Sequence, residues 1–309
     1  MKKLIIVLVV VVLLGAGAYF VFRGGSSVNI PQSPAETGGV PSTGQTPGNE
    51  QAGGANGAQP SVSEQMSIGK SVEGRDILAY NYGSGNTQVL FVGGIHGGYE
   101  WNTVLVAYEA IDYFKANPAA IPAGVKVTVI PVLNPDGLNK VVGTAGRFAK
   151  ADVPSSQSLQ ISGRFNANKV DLNRNFDCDW QANAMWRQTQ VSGGSSAFSE
   201  PESVAFRNYI EANKPSAVVV WYSAANGVFA SSCHNGVLAE TNTLTNLFSK
   251  ASGYPAYQEF NFYEITGDMV NWLAKSKIPA ISILLATHED TEWSKNQAGI
   301  KALLSHYAE

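Results

Sequence analysis

The chain has 309 residues, of which 44% are hydrophobic and 15% are charged, and its formal net charge is -3. This length and composition allow one large globular domain with a sizeable core. No run of Lys or Arg stands out in the sequence, so its composition argues against nucleic-acid binding.

The first 23 residues are the most apolar part of the sequence. Lys2 and Lys3 precede 19 uncharged, mostly apolar residues, and Arg23 ends the run. This length is about what is needed to cross the roughly 30 Å hydrocarbon core of a bilayer, and the two lysines favour a cytoplasmic N-terminus. We expect a single transmembrane helix that anchors the rest of the chain outside the cytoplasm. The alternative is a signal peptide, cleaved at the small residues 16–18, which would leave a secreted protein.

Residues 24–62 differ from the rest in composition. They are rich in Gly, Ser, Pro, Gln, Thr and Asn, and they contain few large apolar side chains. A segment of this kind buries too little apolar surface to fold. It is therefore predicted to be a disordered linker between the membrane span and a globular domain at 65–309.

Within this domain, short apolar runs alternate with segments of helical periodicity. The pattern predicts strands at 76–83, 88–94, 125–133, 217–223 and 280–286. It predicts helices at 101–116, 200–213, 241–252, 267–276 and 291–307. The last two strand runs are apolar almost throughout, as in strands buried on both faces. Such alternation indicates an α/β sandwich with a parallel or mixed sheet, in which sites form at the carboxyl ends of strands.

The sequence GGIHGGYE at 93–100 joins a predicted strand to a predicted helix. Its four glycines suit a tight loop, and His96 and Glu100 are residue types that bind metal ions. No Lys-Ser or Lys-Thr follows the glycines, and their spacing does not fit the dinucleotide-binding pattern. The chain also lacks the GxSxG elbow of a serine hydrolase. These rival interpretations are therefore weak.

A second informative stretch is RFNANKVDLNRNFDCDW, at 164–180. It brings Arg164, Asn173 and Arg174 into one loop. Two guanidinium groups and an amide form a suitable receptor for a carboxylate, because the arginine fork binds both carboxylate oxygens. The alternative is a solvated loop in which the arginines pair with the aspartates of the same stretch.

HGGYE, NPDG and VDLNRNF, in this order, resemble motifs of the zinc carboxypeptidase family, the carboxypeptidase A-like metallopeptidases. The segment SIGKSVEGRDILAY at 67–80 resembles the opening strand of that family. FYEITGDMVNW at 262–272 resembles the segment that lies beside the substrate. The resemblance covers roughly residues 65–309. It implies an α/β/α sandwich around a mixed, mainly eight-stranded sheet.

The resemblance also implies one Zn²⁺ site and an activity on the C-termini of peptides. His96 and Glu100 would be zinc ligands, and Arg164 would stabilise the substrate's carbonyl oxygen as it becomes an oxyanion. Three residues separate His96 from Glu100, where the family has two. The start of a helix can absorb this difference, since positions i and i+4 share one face.

The same resemblance implies a receptor for the end of a peptide. The stem peptides of peptidoglycan are one candidate class of such peptides. Asn173 and Arg174 would bind the free terminal carboxylate, and Tyr263 would close over the terminal residue. Asp268 would favour a basic terminal side chain, whereas Val270 would favour an apolar one. The sequence alone does not decide between these two.

Two positions depart from the family pattern. Catalytic zinc needs three protein ligands and an open position, and Tyr222 stands where the family has its third ligand, a His. Phenol is a poor ligand at neutral pH because its pKa is about 10. Leu284 stands where the family has a Glu as general base, and such a base contributes typically about 10²–10⁴-fold to the rate. His234 is the candidate substitute ligand, and Glu289 is the candidate substitute base.

Cys178 and Cys233 are the two cysteines of the chain. In a domain outside the cytoplasm such a pair is predicted to form a disulfide. The alternative is two buried thiols. No CxxC-like spacing indicates that they bind a metal.

Two functions therefore stay open at the level of the sequence. The first is an active zinc metallocarboxypeptidase that removes the C-terminal residue of peptides. The second is a catalytically impaired relative that binds peptide C-terminal carboxylates through Arg164, Asn173 and Arg174 without cleaving them.

Overall fold

The structure is a computed structural model that describes residues 64–308. The predicted membrane span at 1–23 and the predicted linker at 24–62 lie outside these residues. Within the described range, no helix combines the length and the apolar character that a membrane span requires.

Residues 64–308 contain ten strands and seven α-helices. The strands are β1 (Glu64–Lys70), β2 (Asp76–Tyr82), β3 (Thr87–Val92), β4 (Val125–Ile130), β5 (Asn183–Trp186), β6 (Thr189–Ser192), β7 (Ala217–Ser223), β8 (Gly227–Ala230), β9 (Ala256–Tyr257) and β10 (Ala280–Leu285). The helices are α1 (Trp101–Ala116), α2 (Pro135–Val142), α3 (Gln157–Ser162), α4 (Pro201–Asn213), α5 (Ala239–Ser252), α6 (Met269–Lys275) and α7 (Trp293–His306).

Eight of these strands form one mixed sheet in the order β1-β2-β4-β3-β7-β10-β8-β9, and β5 and β6 form a separate hairpin. The central strands β4, β3, β7 and β10 run parallel to one another. β2 joins β4 antiparallel on one side, and β8 joins β10 antiparallel on the other. The expected mixed, mainly eight-stranded sheet is confirmed, and the carboxyl ends of its parallel strands meet at one edge.

The side chains of the central strands alternate between two apolar layers. Trp221 of β7 and Ile283 of β10 pack with α1, α5 and α7 on one face of the sheet. Their neighbours Tyr222 and Leu284 pack with α4 and α6 on the other face. Because successive strand residues point to opposite faces, both faces are covered by helices. This α/β/α arrangement explains why the strands at 217–223 and 280–286 are apolar throughout.

The NPDG segment that follows β4 begins helix α2. Asn134 is the N-cap, since its Oδ1 accepts a hydrogen bond from the backbone N–H of Gly137 at 2.8 Å. Pro135 occupies the first helical position, where its fixed φ suits the helix and its missing N–H costs nothing.

Candidate functional site

The candidate site lies at the carboxyl ends of the parallel strands. His96 follows β3, Tyr222 lies near the end of β7 and Leu284 near the end of β10. All three line a cavity of about 810 Å³. The sequence-predicted Arg164 and Arg174 line the same cavity.

The glycine loop at 93–100 brings His96 and Glu100 side by side. Gly97 has a φ of +43°, and a Cβ at this position would lie 2.7 Å from the backbone nitrogen of Leu138. Only glycine fits this close approach to α2. Glu100 is the N-cap position of α1, so the loop and the first helical turn place its carboxylate against the His96 ring.

His96, Glu100 and Asp171 form a buried row of ionisable side chains. His96 Nδ1 lies 3.0 Å from Glu100 Oε1, and its Nε2 lies 3.4 Å from Asp171 Oδ1. Neither ring nitrogen, nor Glu100 Oε2, has a hydrogen bond of acceptable geometry within residues 64–308. Buried polar atoms are normally paired, so this row is suited to bind a ligand or an ion.

The charge of Arg164 balances this row. Its Nε and Nη2 each lie 2.8 Å from Asp171 Oδ2, and its guanidinium stacks on the Trp186 ring at 4.4 Å. Burial alone would raise the pKa of Asp171, but the nearby Arg164 and His96 outweigh it and hold that pKa well below its usual range. Burial likewise opposes ionisation of Glu100, yet His96 and Arg164 lower its pKa. Both carboxylates are therefore ionised at neutral pH.

Tyr222 keeps its proton. Burial, followed by the negative charges of Asp268 and Glu100, raises the pKa of the phenol well above 10. Its hydroxyl donates a hydrogen bond to Asn173 Oδ1 at 3.2 Å. Its direct neighbour across the parallel ladder is Leu284. The part of the cavity wall that β7 and β10 form therefore consists of a neutral phenol beside an aliphatic side chain.

Asn173 and Arg174 lie in a short 3₁₀ turn, Leu172–Arg174. Asn173 Oδ1 also accepts from the backbone N–H of Met269 at 3.1 Å, which leaves its Nδ2 as the group available to a ligand. Arg174 donates from Nε to the Met185 carbonyl and from Nη1 to the Asn173 carbonyl, at 3.0 and 2.7 Å. Its Nη2 is buried without a partner among the described residues.

The segment 262–272 supplies the opposite wall of the cavity. Tyr263 is half-buried, and its ring lies 5.0 Å from that of Phe260. Asp268 and Val270 are both buried and both line the cavity. Burial raises the pKa of Asp268 to about 6, although Arg174 opposes the shift.

The structure does not bring the two candidate substitutes to the cavity. His234 has 72% of its side chain exposed and pairs with Asp179 at 2.7 Å. Glu289 is 71% exposed and lies 3.5 Å from Lys150 Nζ. Glu289 stays at the surface because its backbone N–H donates a hydrogen bond to Thr287 Oγ1 within an exposed turn.

The donor atoms near His96 supply only part of a catalytic zinc site. His96 and Glu100 fit two of the three ligands, and Asp171 stands behind the ring, as a carboxylate commonly does behind a metal-bound His. Across residues 64–308, no third His, Asp, Glu or Cys places a ligand atom within 4.8 Å of both. Because the Tyr222 phenol is neutral, the residues present do not complete the three-ligand set that the resemblance implies.

The one group of three potential ligands found within the described range is Cys178, Asp179 and Cys233. In the structure a disulfide joins the two cysteines, whose Cα atoms lie 6.2 Å apart. Disulfide sulfurs are not thiolates, so this group does not bind a metal through them.

A partly buried polar chain beside the cavity was not predicted from the sequence. Asn102 Nδ2 donates to two backbone carbonyls after β10, so its Oδ1 accepts from Ser223 Oγ at 3.0 Å. Ser223 has one proton, so His288 Nδ1 donates to it at 2.8 Å, and His288 Nε2 accepts from Tyr99 at 3.3 Å. Ser223 is therefore not a nucleophile activated by His288. These residues are distant in sequence, and no short motif connects them.

A family model described as zinc carboxypeptidase matches residues 53–301. The chain is 27% identical over 216 residues to gamma-D-glutamyl-L-diamino acid endopeptidase 1 of Lysinibacillus sphaericus, which covers 63% of this chain and 54% of that protein. It is 26% identical over 192 residues to the carboxypeptidase N catalytic chain of Homo sapiens, covering 58% of this chain and 39% of that protein. The matched part thus spans about half, or less, of these relatives.

Solved structures share the fold. Bovine thrombin-activatable fibrinolysis inhibitor, in complex with tick carboxypeptidase inhibitor, has a TM-score of 0.63 and 15% identity, with 79% of this chain and 90% of that chain covered. Carboxypeptidase A from Helicoverpa armigera has a TM-score of 0.61 and 20% identity, covering 81% and 70%. Murein-tripeptide amidase from Escherichia coli O157 has a TM-score of 0.52 and 19% identity, covering 78% and 91%.

Proposed function

Because the chain belongs to the zinc carboxypeptidase family, we propose that its cavity binds the free carboxylate end of a peptide. One observation carries the proposal. Arg174 lines the cavity and keeps its Nη2 buried without a partner within the described part of the chain. A buried guanidinium nitrogen that lacks a partner is costly, and a terminal carboxylate supplies one.

The side chains of the proposed receptor are held in position by the protein itself. Two nitrogens of Arg174 are held by backbone carbonyls, and Asn173 is oriented by Tyr222 and by the N-terminus of α6. Fixed donors lose little conformational entropy when they bind. Tyr263, half-buried at the cavity wall, is positioned to cover the terminal residue.

We further propose that binding prevails over cleavage in this chain. Hydrolysis by a catalytic zinc ion requires a complete metal site, and proton transfer requires a base near the attacking water. Tyr222 is a neutral phenol that is hydrogen-bonded to Asn173, and Leu284 cannot accept a proton. The buried pair of His96 and Glu100 supports the alternative function, an active metallocarboxypeptidase in which another group completes the metal site.

The substrate class and location are part of the proposal. Similarity to an enzyme named for a diamino acid endopeptidase activity supports peptidoglycan stem peptides as ligands. The apolar run at 1–23 supports a membrane anchor that holds the domain outside the cytoplasm. Cell fractionation with N-terminal sequencing checks the anchor against a cleaved signal.

A pair of peptides tests the binding function. We expect the full-length chain to bind a peptide with a free C-terminal carboxylate roughly ten- to a hundred-fold more tightly than the same peptide with a C-terminal amide, since a hydrogen bond to a charged group is worth about 1.5–3 kcal/mol. Titration calorimetry measures both affinities. Arg174→Ala should abolish the difference.

Arg207→Ala is the matched control, because Arg207 lies on α4 against Phe198 and outside the cavity lining. It should preserve the preference for the free acid. Equal affinity of the unmodified chain for the acid and the amide would refute the proposal. Zinc-dependent release of C-terminal residues by the unmodified chain would favour the active enzyme instead.

A further inference from the structure

Two loops beside the cavity bring together four side chains of types that bind zinc. Cys178 and Asp179 lie in the loop that precedes β5, and Cys233 and His234 lie in the loop that follows β8. We refer to these four residues as the loop cluster. All four are described residues, and none of them lines the cavity of the candidate site. The loop cluster is therefore separate from the group considered above for catalytic zinc.

The donor atoms of the loop cluster lie close to one another. The two sulfurs and a carboxylate oxygen of Asp179 are all within 4.8 Å of each other. Cys178 Sγ lies 3.8 Å from Asp179 Oδ2, and Asp179 Oδ1 lies 2.7 Å from His234 Nε2. Zinc bonds of about 2.0–2.3 Å in a tetrahedron place neighbouring donors roughly 3.3–3.8 Å apart. The four donors can therefore surround one ion once the bond between the sulfurs opens.

The backbone turns sharply at the residue that follows each cysteine. Asp179 has a φ of 53° and His234 has a φ of 58°, in the left-handed region that Asp and His enter more readily than most residues. Consecutive side chains of an extended chain point in opposite directions. Here the left-handed turn brings the Asp179 carboxylate back to Cys178 Sγ, and His234 reaches the same carboxylate. Each loop thus contributes two consecutive residues to one place.

The chemistry of these donors depends on the state of the cysteines. Two thiolates and an imidazole are donors that select Zn²⁺ over Mg²⁺ and Ca²⁺. A disulfide offers no thiolate, so the oxidised chain has only the exposed pair of Asp179 and His234 at this place. Both sulfurs are buried beneath this pair. Tight metal binding therefore requires that the disulfide is first reduced.

We propose that reduction of the disulfide turns the loop cluster into a Zn²⁺ site with Cys178, Asp179, Cys233 and His234 as ligands. A dithiol reductant donates two electrons and two protons, the S–S bond breaks, two thiols form and the reductant becomes a disulfide. Zn²⁺ then forms two Zn–S bonds, and both thiol protons pass to solvent. The carboxylate and the neutral imidazole supply the other two bonds. This site does not depend on the proposed binding of peptides.

The bound ion replaces the covalent link between the two loops. The loop before β5 also pairs with the segment that forms the opposite wall of the cavity, because the Cys178 carbonyl accepts a hydrogen bond from the Gly267 N–H at 2.6 Å. Reduction without a metal frees this loop from the loop after β8, and zinc joins them again. Disulfides persist in oxidising environments and thiols in reducing ones, so the chain keeps a cross-link in both.

Zinc analysis of the full-length chain in two redox states tests the site. Both samples carry His96→Ala, so that the cavity contributes no histidine ligand. One sample is oxidised, and the other is purified with a phosphine reductant throughout, because a dithiol would itself chelate zinc. Thiol counting verifies that both cysteines are reduced. We expect the reduced chain to retain about one zinc ion more than the oxidised chain after dialysis. Equal zinc content in the two states overturns the proposal.

Cobalt identifies the atoms that bind the ion. Co²⁺ replaces Zn²⁺ in tetrahedral sites, and thiolate ligands give it an intense charge-transfer absorption in the near ultraviolet. We expect this absorption in the reduced chain and not in the oxidised one. His234→Ala should lower the cobalt affinity of the reduced chain about tenfold or more.

His306→Ala is the matched control, because His306 also pairs with a carboxylate, that of Glu240 at 2.9 Å, and does not belong to the loop cluster. Its cobalt affinity should equal that of the parent chain. A reduced chain without the charge-transfer absorption contradicts the proposal, and so does a His234→Ala variant that binds cobalt with full affinity.

Discussion

Tyr222 and Leu284 set the chemistry of the cavity at the scale of single residues. They are direct neighbours across β7 and β10. The hydroxyl of Tyr222 is neutral and donates a hydrogen bond to Asn173, so it orients a residue of the proposed carboxylate receptor. Leu284 adds apolar contact. Neither side chain supplies a third metal donor or a base, and this is the basis of our proposal that binding prevails over cleavage.

Introducing a third zinc ligand at position 222 and a general base at position 284 should produce turnover. Tyr222→His should raise the zinc retained after dialysis to nearly one ion per chain, because the set of His96, Glu100 and a new imidazole has three donors. Tyr222→His combined with Leu284→Glu should then release C-terminal residues about 10²-fold or more faster than Tyr222→His alone. Metal analysis and a peptide-release assay measure the two effects.

Tyr222→Phe is the control for this pair, because it removes the hydrogen bond to Asn173 without adding a donor. Its zinc content should equal that of the unmodified chain. An unmodified chain that already retains one tightly bound zinc ion would show that another group completes the site.

At the scale of elements, periodicity predicted every helix longer than eight residues and the strands β2, β3, β4, β7 and β10, but not the seven-residue strand β1. The helix at 101–116 and the strand at 217–223 have the predicted ends, and the other predicted elements differ by at most three residues at either end. These segments bury a continuous apolar stripe or run, so their packing agrees with their local pattern. The strand predicted at 125–133 ends at Ile130, since Pro131 has no N–H for the ladder.

The elements that sequence missed are short or depend on distant contacts. Strands β8 and β9 have four and two residues, too few to show a period. Helix α2 has eight residues and depends on the Asn134 cap. In the site, the residues of the loop at 164–180 could be predicted as a set, but the unpaired nitrogen of Arg174 arises from backbone contacts that only the fold creates.

The disulfide between Cys178 and Cys233 connects the loop that follows Arg174 to the loop that follows β8. The two cysteines are separated by 55 residues in sequence. A bond between them should stabilise the fold by about 2–4 kcal/mol, largely by restricting the unfolded chain. We expect Cys178→Ala with Cys233→Ala to lower the free energy of unfolding by that amount in denaturant titrations. Non-reducing mass spectrometry is the independent check, and two alkylatable thiols in the native protein would contradict the prediction.

At the scale of the whole molecule, the buried Asp268 and the partly buried His288 make stability depend on pH in opposite ways. Asp268 has a pKa of about 6 in the fold against an ordinary value of 3.8. Its contribution to the free energy of unfolding is therefore fully present below pH 3.8 and is lost as the pH rises through 6. Burial lowers the pKa of His288 below 6.5, although Glu100 opposes the shift. The contribution of His288 is therefore lost as the pH falls through 6.5 and below.

A single substitution separates these two contributions. Asp268→Asn replaces the carboxyl by a neutral group of the same shape, so at pH 4 it should resemble the unmodified chain, in which Asp268 is protonated. At pH 7.5 the unmodified chain holds a buried charge, and the variant should be more stable relative to it by up to about 3 kcal/mol. Urea titrations at the two pH values measure the difference. Asp177→Asn, at an exposed site, should show no such change with pH, and a stability difference for Asp268→Asn that is independent of pH would mean that Asp268 is not the buried acid described here.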